Sequence, residues 1–231
     1  MKFLKSYQRM DLPLNLAVLA LYLGIAYLGL EFTMIKSSAT IFWPAAGFAL
    51  AVMLLAGPKY IPGIFGGGLA VELMLGSTLT YSVLTAFGET IETILAYWLL
   101  IYFRPINLSL ERLSDFFGLI ISGAVISSLV SAVMVPLLLV SLGYIEPSQT
   151  PTLTLHWWMG DAIGIALITP LILMFFQSGK KPENKISLQL IVLFLFTVFM
   201  AQIILNHWII PVSTIDLSVA WLFPLIIWSG L

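Results

Sequence analysis

Acidic side chains occur inside the long hydrophobic stretches of this chain, where charged groups are rare. Leaving aside Glu31 at the very end of the first stretch, they are Glu72, Glu89, Glu92 and Asp161. An ionised side chain near the centre of a bilayer costs about 2.5–3.5 kcal/mol on insertion scales, so such acids normally face other helices and find a partner. The same stretches contain no Lys or Arg. We therefore expect protons, water, polar neighbours, a bound cation or an amine ligand to neutralise these carboxyl groups.

The hydrophobic stretches predict an all-α, polytopic membrane helix bundle with about eight transmembrane helices. A helix rises about 1.5 Å per residue, so about 20 apolar residues cross the hydrocarbon core. The predicted spans are residues 12–32, 41–56, 60–76, 79–103, 116–143, 156–176, 188–205 and 217–231. A composition of 60% hydrophobic and 9% charged residues supports this prediction, because it leaves too little polar surface for a water-soluble globule of 231 residues.

The basic residues predict the orientation of the bundle. If the N-terminus lies in the cytoplasm, every Lys and Arg is cytoplasmic except Lys36, so nine of the 10 basic residues obey the positive-inside rule. This pattern indicates a multi-pass protein of the bacterial inner membrane, with the lipid bilayer around it and both ends inside. The last span, 217–231, is short for a membrane crossing. We therefore expect residues 1–231 to form a single transmembrane domain at the front of a longer protein.

With this orientation the unusual residues all fall in the outer half of the bundle. Glu89 and Glu92 are three residues apart and therefore share one face of a helix. The predicted ligand-binding residues are Glu72, Glu89, Glu92, Asp161, Trp43, His156 and Trp158. We expect the acids to line one cavity, formed by the second, third, fourth and sixth spans, that opens to the periplasm. The Trp and His residues would lie near its mouth and would admit an unknown small ligand or ion.

Other interpretations of these residues stay open. Trp157 and Trp158 are also typical of the aromatic belt at a membrane boundary. His156 and His207 could join Asp161 in a metal site, but two histidines without a fixed spacing indicate metal only weakly. The sequence therefore assigns neither a metal nor a cofactor.

Catalysis and nucleic-acid binding are not expected. The chain has no cysteine for a thiol nucleophile and no Gly-x-Ser-x-Gly motif for a serine nucleophile. Gly160-Asp161 lacks the second aspartate that an aspartyl intramembrane protease needs. A net charge of −1 provides no basic surface for nucleic acid.

Short motifs in a fixed order resemble the bacterial integral membrane sensory domains of the MASE type, first class. These motifs are Phe-Trp-Pro-Ala-Ala-Gly at 42–47, Gly-Pro-Lys-Tyr-Ile-Pro-Gly-Ile-Phe at 57–65, Gly-Glu-Thr-Ile-Glu at 88–92 and Trp-Trp-Met-Gly-Asp-Ala-Ile-Gly at 157–164. The resemblance implies a sensory input domain that regulates a C-terminal cytoplasmic signalling domain in the same chain. That domain would be a diguanylate cyclase, which makes cyclic di-GMP, or the histidine kinase of a two-component system. Such output domains generally work as dimers, which makes a homodimer plausible.

The chain departs from the pattern of these sensory domains at two acids. Glu89 occupies a position where the resemblance leads us to expect Asn, and Glu72 occupies one where a neutral polar residue is more usual. These two departures imply a response to a ligand or to protons that is particular to this chain.

Two functions other than that of a sensor are also compatible with the sequence. A small secondary transporter, or a substrate-capturing subunit of one, would use the same carboxyl groups to bind a cationic solute or to couple to protons. A scaffold that docks a membrane partner would not need them. Solute flux separates the first alternative from a sensor, and replacement of the acids separates the second.

Overall fold

The structure, a computed structural model, describes residues 12–31, 42–110 and 112–177 of the chain. These residues form six helices and no strand. The helices are α1 (Leu12–Glu31), α2 (Pro44–Ala56), α3 (Ile61–Met74), α4 (Leu79–Phe103), α5 (Leu113–Ser141) and α6 (Thr150–Gln177). The end of α4, Leu99–Phe103, and the middle of α5, Leu119–Ser127, are π-helical. One-turn 3-10 helices, Pro58–Tyr60 and Pro147–Gln149, precede α3 and α6.

The predicted all-helical membrane fold is confirmed for the described residues. Four helical segments there are long and apolar enough to cross a membrane: Leu12–Leu30, Leu79–Phe103, Leu113–Ser141 and Pro147–Phe176. α2 is apolar but has only 13 residues. The predicted seventh and eighth spans, 188–205 and 217–231, lie outside the described residues, so the predicted count of eight is not confirmed.

The sixth helix begins earlier than the sequence pattern indicated. We predicted a loop up to Leu155, but α6 starts at Thr150, directly after the 3-10 turn Pro147–Gln149. That turn has a capping box, in which Glu146 and Gln149 satisfy each other's backbone N–H groups. Proline is compatible with the first turn of a helix because its missing N–H has no partner there in any case. Pro147 and Pro151, which fall between the predicted spans 116–143 and 156–176, therefore lie where the helix begins.

α1 and α3 pack side by side and run in the same direction. A Cβ atom added to Gly63 would lie 2.6 Å from the backbone oxygen of Asn15, and one added to Gly67 would lie 2.7 Å from the Tyr22 side chain. The Asn15 side chain also accepts a hydrogen bond from the Gly63 N–H at 2.9 Å. Glycine at these positions lets the two helices approach closely, and the contact fixes the position of Tyr22.

α2 and α6 are also parallel, and their backbones touch. The Trp43 N–H, just before α2, donates to the Gly160 carbonyl oxygen at 3.0 Å. Further along, the Thr169 hydroxyl donates to the Gly47 carbonyl oxygen at 2.9 Å. A Cβ atom on Gly47 would overlap the Gly164 carbonyl oxygen, and one on Gly164 would overlap the Trp43 carbonyl oxygen. The start of α2 is therefore held against the part of α6 that carries Asp161.

α4 packs against α2, α3 and α5 and carries polar side chains into the core. Its buried polar residues are Ser82, Thr85, Thr90, Glu92 and Thr93. Several of the hydroxyl groups are satisfied within the helix, as when Thr90 donates to the Ala86 carbonyl oxygen at 2.7 Å. The carboxyl groups of α4 have no such partner in their own helix and reach the neighbouring helices instead.

Candidate functional site

Glu89, Glu92 and Asp161 lie close together in the interior of the described bundle, and we call them the carboxyl cluster. Glu89 and Glu92 come from α4 and Asp161 from α6, and Asp161 interacts electrostatically with both glutamates. The Glu92 and Asp161 carboxyl groups are close enough to share a proton in a hydrogen bond. Each of these two residues is only 2% exposed. The structure therefore brings together three of the four predicted acids.

Glu89 is bound by the first helix. The Tyr22 hydroxyl donates to Glu89 Oε2 at 2.7 Å, and the Tyr22 side chain is 1% exposed. The space for this carboxyl group exists because residue 68 is glycine, whose added Cβ atom would lie 2.7 Å from the same oxygen. The Trp43 indole lies beside both Tyr22 and Glu89. Glu89 thus links α4 to α1 and to the start of α2.

Glu92 is bound by the fifth helix. The Ser131 hydroxyl donates to Glu92 Oε2, and Ser131 is fully buried. Gly88, one turn earlier on α4, permits the close approach of Val135 on α5. The second oxygen of the carboxyl group, Glu92 Oε1, is buried and has no hydrogen-bond partner among the described residues.

Asp161, on α6, also has a buried carboxyl oxygen without a hydrogen-bond partner among the described residues. Its side chain lies beside Glu92 and Trp157. Its Oδ2 atom is buried and lacks a hydrogen-bond partner within the described part of the chain. Buried polar atoms are nearly always hydrogen-bonded in folded proteins, and each exception calls for a reason such as a missing ion or ligand. Two such atoms lie on adjacent carboxyl groups, where either a shared proton or a bound hydrogen-bond donor can satisfy them.

The remaining predicted residues lie around the cluster rather than in it. Glu72 is half-buried near the end of α3, where it accepts a hydrogen bond from the Ser77 hydroxyl at 2.8 Å. The Trp158 indole N–H donates to the Val125 carbonyl oxygen at 3.1 Å, toward the π-helical part of α5. His156 precedes Asp161 by five residues, which turns it about 140° away around the helix. Trp43 is the one predicted aromatic residue that the structure brings to the cluster.

No metal site is formed by the part of the chain that the structure describes. Within 12–31, 42–110 and 112–177, no group of three His, Asp or Glu side chains is placed to hold a metal ion. His207, which we considered as a ligand together with His156 and Asp161, lies outside these ranges.

Sequence reasoning missed three residues that contact the carboxyl cluster: Tyr22, Ser131 and Trp157. The sequence offered a weak signal for Tyr22, because Asn15 and Tyr22 are polar residues seven positions apart and so share one face of α1, but the burial of that face is seen only in the structure. Trp157 precedes Asp161 by four residues and so lies about 40° from it around the helix. Ser131 had no comparable signal, because nothing in the sequence pairs α5 with Glu92.

Comparison with known families agrees with the resemblance seen in the sequence motifs. Residues 13–231 match the family model MASE1, which describes a membrane-associated sensor domain. The comparisons with curated proteins and with solved structures gave no match. The family match covers nearly the whole chain and contains the carboxyl cluster with all of its contacting residues. The chain therefore belongs to the MASE1 family of membrane-associated sensor domains.

Proposed function

We propose that this chain is the sensory input part of a signalling protein of the bacterial inner membrane and that the carboxyl cluster is its ligand site. The observation that carries the proposal is the pair of buried carboxyl oxygens, Glu92 Oε1 and Asp161 Oδ2, which have no donor among the described residues other than a proton that the two carboxyl groups share. Leaving a buried acceptor without a partner costs about 1–3 kcal/mol, and more for a charged group. A ligand that supplies the missing donors recovers this free energy and thereby favours the helix packing that holds the site closed.

The proposed site joins the helices in a way that suits a two-state response. Its residues come from α1, α4, α5 and α6, and Trp43 adds the start of α2. A ligand shifts an equilibrium between two packings by as much as its affinities for them differ. Such a ligand, small and entering from the periplasmic side, would change how α6 meets α4. That change would pass through residues 178–231 to a cytoplasmic diguanylate cyclase or histidine kinase, in a homodimer.

The family is a sensory one rather than a catalytic one, which agrees with the expectation that the chain itself is not an enzyme. A transporter would use the same buried acids, so flux is the property that separates the two functions. The test fuses a diguanylate cyclase after residue 231. We expect Asp161→Asn to change the cyclase activity of this fusion. We expect no solute flux through vesicles that contain residues 1–231 alone. Flux of a cationic solute or of protons, lost in the same variant, would identify a transporter.

The proposed orientation gives a separate prediction, which the absence of cysteine from the chain makes simple to test. Asn107, between α4 and α5, and Ser148, before α6, are both exposed. With the N-terminus inside, Ser148→Cys should react with a membrane-impermeant maleimide on intact spheroplasts. Asn107→Cys should react only after the membrane is opened. Labelling of Asn107→Cys on intact spheroplasts, or labelling of both positions there, would refute the topology.

A further inference from the structure

We propose that the ligand of the carboxyl cluster is a protonated primary amine, whose ammonium group lies between Glu92 and Asp161. This inference rests on the proposed function of the cluster as a ligand site and adds the chemical class of the ligand. It depends on three observations: the balance of charge in the site, the kind of atoms left without a partner, and the kind of side chains around them.

The balance of charge among the described residues leaves room for one positive charge, either a proton or a cationic ligand. Within the described residues, the interactions of the cluster are with Tyr22, Ser131, two tryptophans and other acids, and include no cationic side chain. Two adjacent carboxyl groups in a buried site cannot both be ionised unless a positive charge lies between them. In the empty site a single proton shared by Glu92 and Asp161 meets this requirement. A bound ammonium group replaces that proton and allows both groups to ionise.

Two of the three unpartnered atoms at the cluster, Glu92 Oε1 and Asp161 Oδ2, are acceptors that suit an ammonium group, whereas the third, Trp43 Nε1, is a donor beside Glu89 that an ammonium group does not satisfy. A primary ammonium carries three N–H donors and no acceptor. The cluster offers two free acceptors, Glu92 Oε1 and Asp161 Oδ2, because the second oxygen of Glu92 already accepts from Ser131 and Glu89 Oε2 accepts from Tyr22. Hydrogen bonds from a cation to a carboxylate are shorter and about twice as strong as neutral ones. The two free oxygens would therefore fix an ammonium group in both position and direction.

The surroundings of these oxygens argue against a metal ion. Ca²⁺ takes about six to eight oxygen ligands, and no group of three His, Asp or Glu side chains in the described ranges is placed to hold a metal ion. Mg²⁺ can bind through one or two carboxylates, but it keeps several water ligands, for which indole rings provide no hydrogen-bond acceptor. The other groups near the cluster are the Trp43 and Trp157 indoles. Indole rings attract organic cations through their π electrons, so they suit an amine better than a metal.

The test uses purified residues 1–231 in lipid nanodiscs, with methylammonium and 2-phenylethylammonium as probes. Both amines should raise the midpoint of thermal unfolding by more than about 2 °C at saturation. Tetramethylammonium, which has the same charge but no N–H donor, and potassium should leave the midpoint unchanged. A matching change in tryptophan fluorescence is expected, because Trp43 and Trp157 lie beside the cluster.

The variants locate the site. Glu92→Gln and Asp161→Asn should each weaken binding of 2-phenylethylammonium by at least about tenfold, because each loses one charged hydrogen bond. Glu72→Gln should weaken binding much less than either of these variants, because Glu72 is hydrogen-bonded to Ser77 and acts on the cluster only through its electrostatic interaction with Glu89. Equal stabilisation by tetramethylammonium or potassium, or equal binding by Glu92→Gln, would overturn the inference. The selectivity among cations needs no variant, so the inference stays testable if a substitution prevents folding.

Failure of this inference can be separated from failure of the proposed function. If no amine stabilises the chain but Asp161→Asn still changes the output of a fused cyclase, the site is sensory and its ligand is not an amine. If amines bind at the cluster and neither they nor the substitutions change the output, the amine class is right and the sensory role is wrong.

Discussion

Glu92→Gln and Asp161→Asn should each reduce the signalling response of the fused protein at least about tenfold, with little change in the amount of folded protein in the membrane. Both substitutions keep the shape of the side chain and remove its ability to carry a negative charge. Because Glu92 and Asp161 are each 2% exposed, a neutral amide is easier to bury than a carboxylate. The response is measured as the cyclic di-GMP produced by a cyclase joined after residue 231, with and without the activating stimulus.

The matched control for this prediction is Glu72→Gln, which makes the same chemical change in the same membrane domain. Glu72 accepts a hydrogen bond from Ser77 at the end of α3 and interacts with the carboxyl cluster electrostatically, through Glu89. Its replacement should retain most of the response. A tenfold loss in Glu72→Gln, or a normal response in both Glu92→Gln and Asp161→Asn, would place the sensing site elsewhere.

Gly164→Ala should be the most damaging small substitution in the described bundle. Its new Cβ atom would overlap the Trp43 carbonyl oxygen, which is a backbone atom and cannot rotate away. Relief requires the start of α2 to move off α6, and that movement would also break the hydrogen bond from the Trp43 N–H to the Gly160 carbonyl oxygen at 3.0 Å. We expect the free energy of unfolding to fall by about 2 kcal/mol or more.

Gly24→Ala provides the matched control, because Gly24 is also a helical glycine and its added Cβ atom would meet nothing within 4 Å. Alanine is favoured over glycine in a helix by about 0.5–1 kcal/mol, so this variant should be as stable as the unaltered chain or slightly more stable. Thermal unfolding in the same detergent measures both variants. Equal stability of Gly164→Ala and Gly24→Ala would show that α2 and α6 are not in backbone contact.

The helices could be predicted from the sequence because hydropathy acts locally. An apolar run of sufficient length must form its hydrogen bonds within itself in a bilayer, and the predicted spans from Leu12 to Phe103 therefore agree closely with α1 to α4. The start of α6 could not be predicted in this way. Prolines at 147 and 151 are typical of a loop when only the sequence is known. The capping interaction between Glu146 and Gln149, which is seen only in the structure, shows that a helix begins here.

The carboxyl cluster could be predicted in part, for a different reason. Spacing places Glu89 and Glu92 on one face of α4, and the cost of burying charge predicts that they seek partners. Spacing does not identify those partners, because they come from other helices. Tyr22 and Ser131 reach Glu89 and Glu92 through helix packing that depends on small residues such as Gly67 and Gly88. The same packing turned Trp158 toward α5 and left Trp157 beside Asp161.

The most direct test of the proposed sensory site is a double-mutant cycle on Glu92 and Asp161. The cycle compares Glu92→Gln, Asp161→Asn and the double variant by the output of the fused cyclase, expressed as a free energy. Residues in contact within one network typically couple by about 0.5–3 kcal/mol, whereas distant residues add. We expect the double variant to lose no more response than either single variant, because one site is removed in each case. The control combines Glu72→Gln with Asp161→Asn, for which we expect the two losses of response to add. If the losses caused by Glu92→Gln and Asp161→Asn also add in the double variant, the two carboxyl groups do not act as one site.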